Sequence, residues 1–137
     1  LEARGWKRQE QAGWQEALLM LDKNTGADEL PVLPATLDTR VEALLMVRQG
    51  ARPDERYVLR LWPAPVQLQP GATPLWLGSA QTLRYERHFQ WIGMWHPVRG
   101  VDPAMNAVKE AVQGLPQRED AHSETGLPVL RLKTATP

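Results

Sequence analysis

Arg56-Tyr57-Val58-Leu59-Arg60-Leu61-Trp62, then Pro63 and Pro65, a Gln69-Pro70-Gly71 turn, and Pro74-Leu75-Trp76-Leu77-Gly78-Ser79-Ala80-Gln81-Thr82-Leu83: this stretch decides the fold. Side chains alternate with period two, as on a strand. Tyr57, Leu59 and Leu61 share one face; Val58, Arg60 and Trp62 share the other. The prolines are expected to end or bend the first strand. The connection is too short for a helical crossover, so the two strands are antiparallel.

Working outward, Arg40–Arg48 reads as the preceding strand, with Gly50–Glu55 as a hairpin turn. His88–Val98 reads as a following strand that places Phe89, Trp91, Gly93 and Trp95 on one face. Pro103–Gln113 has helical spacing at Met105, Val108 and Val112, with Asp102 as N-cap and Gly114 as its stop. Trp14–Leu21 also has the spacing of one helix face. Leu30–Pro34 holds two prolines and reads as an extended connector. Leu1–Arg4 reads as a last helical turn stopped by Gly5, followed by a short extended piece at Trp6–Gln9. Residues 115–126 read as a mobile polar loop before a last strand at Leu127–Lys133. These elements predict an α+β domain: an antiparallel sheet of about four to six strands with helices packed on one face.

The 137 residues fit one domain spanning 1–137. The start without Met reads as a piece of a longer protein. No cysteine is present, which excludes disulfides, zinc–cysteine sites and thiol catalysis. A net charge of zero argues against nucleic acid as a partner. The longest apolar runs, Ala17–Leu21 and Ala43–Val47, fall far short of a transmembrane span.

The chemistry-bearing residues are sparse. No HxxxH, HExxH, GxSxG or glycine-rich phosphate loop occurs. Neither a metal nor a cofactor is expected, although a site from His88, His96 and a carboxylate such as Asp102 is conceivable. No catalytic residue is assigned; a divergent hydrolase around His88, His96 and Asp102 is an alternative. Among six tryptophans, Trp14, Trp62 and Trp76 read as core. Trp91 and Trp95 are candidates for apolar contact. Arg84, Arg87 and His88 lie just upstream and, with Arg60, are candidates for binding an anion or lipid headgroup. Within a strand, Arg60 otherwise needs an acidic partner.

Arg60-Leu61-Trp62 followed by Pro74–Ala80 resembles the core motif of the LssY C-terminal domain family, and Leu30–Pro34 and Gly5-Trp6 are similarly placed. The resemblance runs from about residue 1 to about residue 112. It implies an accessory or regulatory C-terminal domain of a bacterial inner-membrane protein, of DedA-like or lipid-phosphate phosphatase type. It implies a cytoplasmic face, and as partners the parent's transmembrane part, with anionic lipid or another protein. Catalysis would then belong to the parent. After Ala80 the chain departs from the pattern: only His96, Asp102 and Glu110 could stand for the family's His- and Asp-containing stretch. A structural or oligomerisation module is a further alternative.

Overall fold

The computed structural model describes residues 1–10, 26–27, 30–89, 92–99, 103–122, 124–125 and 128–133. The helix expected at Trp14–Leu21 lies outside them, as do Trp14, Trp91 and Asp102.

Nine strands and one α-helix form among these residues: β1 (Lys7–Gln9), β2 (Thr36–Leu37), β3 (Arg40–Val41), β4 (Leu44–Gln49), β5 (Glu55–Leu68), β6 (Thr73–His88), β7 (Ile92–Pro97), α1 (Pro103–Ala111), β8 (Gln117–Ala121) and β9 (Pro128–Leu132). The main sheet is antiparallel with the order β1-β4-β5-β6-β7. Two small hairpins, β2–β3 and β8–β9, stand beside it.

The α+β expectation is corrected. The fold is mostly β, with 54% strand and 11% helix among the described residues, and one α-helix rather than a helical layer. Two physical reasons account for the difference. First, of the two outcomes expected at Pro63 and Pro65, β5 does not end there but runs on to Leu68 with a register shift between Pro63 and Gln67. Its pairing with β4 stops at Leu61, so beyond that point its outer edge has no ladder for a proline to break. Second, residues 115–126, expected to be a loop, contain β8. Its polar side chains are held by ion pairs: Arg118 Nε lies 3.0 Å and Arg131 Nε 2.9 Å from the Asp120 carboxylate.

The two faces of the sheet are covered differently. Met46, Tyr57 and Leu59 pack with Trp6 against Ala104, Ala107 and Val108 of α1, and Leu130 of β9 joins them. Val32, Leu45, Val58 and Leu83 form the second core, under the connector at residues 30–35. The connector is extended, as its prolines require. The start of α1 is fixed from the sheet: the Ala104 N–H donates to Thr82 Oγ1 over 3.2 Å. Such a bond satisfies one of the donors a helix leaves free at its N-terminus. Gly114, at φ 104°, ends the helical run as expected.

At Gly50 the β4–β5 turn comes close to Glu55. A Cβ at Gly50 would lie 2.7 Å from Glu55 Cγ, and the Gly50 N–H bonds to the Glu55 carbonyl over 2.9 Å. Only a residue without a side chain fits there.

Candidate functional site

Strand alternation and register sort the candidate residues. On β6, Arg84, Glu86 and His88 share the α1 face with His96 and Met94 of β7; Leu83, Tyr85 and Arg87 share the connector face with Gly93 and Trp95. Arg60 on β5 belongs to the connector face with Val58. The four cations named from sequence therefore do not converge: Arg60 and Arg87 lie on one side of the sheet, Arg84 and His88 on the other.

Arg60 is buried, 6% exposed. Its Nη1–H donates to Gln81 Oε1 and its Nη2–H to the Leu33 carbonyl, both over 3.1 Å. Its Nε lies 3.7 Å from Oε1 of Glu42, itself 1% exposed. Burial lowers the Arg60 pKa from its ordinary value, because a guanidinium loses hydration there, while the Glu42 charge acts in the opposite sense. The acidic partner that sequence reasoning required is thus Glu42. Glu42 lies where the predicted Arg40–Arg48 strand breaks between β3 and β4, its own N–H bonded to the Ala35 carbonyl over 3.3 Å.

Arg84 Nη2 lies 3.7 Å from Oε2 of the buried Glu55. Trp95 is half-buried rather than presented outward. Its indole N–H donates to the Leu30 carbonyl over 3.3 Å, the Arg56 guanidinium stacks 4.4 Å from its ring, and Tyr85 meets it edge-on at 5.8 Å. A half-open cleft of about 140 Å³ lies between connector and sheet, bordered by Leu33, Arg60, Gln81, Gly93 and Trp95. Gly93 keeps this corner closed-packed: a Cβ there would meet Tyr85 Oη at 2.6 Å and Leu30 Cδ1 at 2.8 Å. Gly93→Ala is therefore expected to lower stability by about 1–3 kcal/mol through overpacking, measured by urea unfolding, with the near-ultraviolet signal of Trp95 altered.

The histidines lie on the other face from the cleft. His88 Nε2 and His96 Nε2 are 2.8 Å apart, and Glu86 stands beside them. Among the described residues, the lining of the cleft includes neither histidine.

Sequence reasoning missed an exposed apolar ribbon; the single most exposed large apolar side chain is Phe89, at 80%, just past the end of β6. From Leu61 to Leu83 the chain carries no charged residue and no histidine. The outer halves of β5 and β6 form a two-stranded ribbon, paired through Pro63↔Trp76, Gln67↔Pro74 and Leu68↔Thr73 with an irregularity between Pro63 and Gln67. Val66, Leu68, Trp76 and Leu77 are exposed on it. Trp62 is core, as expected, but Trp76 is not: it is 51% exposed. The signal that could have found this was the absence of charge over so long a run.

Comparison of the chain with protein-family models, with curated proteins and with solved structures returns no match.

Proposed function

We propose that this chain is a non-catalytic accessory domain that docks at a membrane surface, with the β5–β6 ribbon as its apolar contact. One observation carries the reading: a projecting, charge-free ribbon that leaves Val66, Leu68, Trp76 and Leu77 in solvent. Trp76 and Leu77, adjacent on β6, face opposite sides of the ribbon, so both of its faces expose apolar surface, and such surface marks interaction sites. Tryptophan is favoured at the membrane–water interface, where an apolar ring and a polar N–H are both satisfied.

The geometry also limits the mode of contact. A ribbon with open strand edges cannot enter the hydrocarbon core, where unpaired backbone groups go unsatisfied. Pro63, Pro65 and Pro74 lie in these strands and carry no N–H, so they discourage strand addition by a protein partner. Shallow contact through side chains at headgroup depth is what remains. The segments that resemble the LssY C-terminal family, Arg60–Trp62 and Pro74–Ala80, build the base and one strand of this ribbon. That resemblance supports a place beside the transmembrane part of a bacterial inner-membrane protein, on its cytoplasmic side. No helix among the described residues is long and apolar enough to cross a membrane.

The test is co-sedimentation with vesicles of phosphatidylcholine, with and without phosphatidylglycerol, over a salt series. Binding is expected to persist in part at high salt, since burial of apolar surface is not screened. Trp76→Ala is expected to weaken it about tenfold or more, the equivalent of losing one buried aromatic side chain, without loss of fold, because the side chain is exposed. A chain that binds no vesicle, or a Trp76→Ala variant that binds as well as the unchanged chain, ends this reading.

A further inference from the structure

The tip of the β6–β7 hairpin offers a second site, independent of the membrane reading. Glu86 and His88 are two residues apart on β6 and so project from the same face. Met94 stands opposite Glu86, and His96 follows it by two residues on β7, again on that face. The three side chains converge. Their nearest ligand atoms, two imidazole nitrogens and a carboxylate oxygen, all lie within 4.8 Å of one another. His88 Nε2 is 2.8 Å from His96 Nε2 and 4.0 Å from Glu86 Oε2.

We infer that Glu86, His88 and His96 form a binding site for a divalent transition-metal ion of the zinc class. Two imidazole nitrogens that face each other at hydrogen-bond distance can share one proton, with one ring donating and the other accepting. A metal ion in the proton's place takes the lone pairs of both rings, and the adjacent carboxylate supplies a third, anionic ligand. Two histidines and one carboxylate are a donor set that zinc accepts, with a fourth position left for water or a ligand. At zinc–nitrogen distances of 2.0–2.1 Å, tetrahedral ligand nitrogens stand about 3.3 Å apart. The rings need to part by about half an ångström and Glu86 to swing inward; His88 and Glu86, which are exposed, can make these movements about the half-buried His96. Arg84, which pairs with His96 in the ladder, lies within 3.7 Å of Glu55 on β5.

Isothermal titration calorimetry with zinc chloride on the intact chain tests the site, alongside His96→Ala, Glu86→Gln and, as a control away from the hairpin, His122→Ala. One zinc per chain is expected. His96→Ala should remove measurable binding, Glu86→Gln should weaken it about tenfold or more, and His122→Ala should leave it unchanged. Bound zinc should also raise the thermal midpoint of the unchanged chain but not of His96→Ala, because a ligand specific to the folded state stabilises it. Circular dichroism checks that each variant folds. A chain that takes up no zinc overturns the assignment. So does uptake that survives His96→Ala or is lost in His122→Ala.

Discussion

Glu42→Ala is expected to lower the unfolding free energy by about 3–5 kcal/mol, because it leaves a buried guanidinium without its counter-charge. Arg60 cannot retreat to water: its two terminal nitrogens are held by Gln81 and the Leu33 carbonyl beneath the connector. Glu42 also accepts the Ala35 N–H over 2.9 Å, so the same substitution strips a backbone donor of its partner. Urea unfolding at neutral pH measures the effect. The double variant Glu42→Ala/Arg60→Leu should lose less than the sum of the single losses, since removing both charges removes the uncompensated one. Strict additivity would mean that the 3.7 Å pair contributes nothing.

Trp6→Ala should cost a similar amount, about 3–5 kcal/mol, through the cavity it leaves. Trp6 is 1% exposed and is shared by the sheet and α1, so its loss opens the seam between them. Trp6→Phe should cost distinctly less. The Trp6 indole N–H has no hydrogen-bond partner among the described residues, so phenylalanine removes a buried donor along with part of the ring. Thermal unfolding of the two variants side by side is the measurement. Equal losses would show that the indole's shape, not its burial, sets the cost.

The centre of the fold was legible in the sequence. Alternation in Arg56–Trp62 and Pro74–Leu83 marked an antiparallel pair, and Pro103 and Gly114 bracketed the helix correctly. What escaped depended on partners distant in the chain. Pro63 and Pro65 read as ending or bending the strand, and sequence does not show which edge is unpaired and so which of the two occurs. Thr82, which holds the start of α1, comes from a strand 22 residues upstream. Glu42, in the break between β3 and β4, meets an arginine that lies one strand away. At the hairpin tip, His88 and His96 were noticed but paired with Asp102, not Glu86. The spacing Glu86-x-His88, which puts two ligands on one face of a strand, was the available clue. Trp76 was misread because a large aromatic in an alternating strand is core far more often than surface.

The connector at residues 30–35 is gripped largely by its own main chain. Gln9 and Arg60 donate to its Val32 and Leu33 carbonyls, Arg56 and Trp95 both donate to Leu30, and Glu42 takes the Ala35 N–H. Main-chain groups are common to nearly every amino acid. Apart from the buried Leu30 and Val32, the connector can therefore drift in evolution while the clasp holds, and the constraint falls on the five sheet-side and flanking residues that do the gripping. A segment whose prolines give it the look of a signature is then among the fold's freer parts, and the identity of this architecture is written in residues that never adjoin one another in the chain.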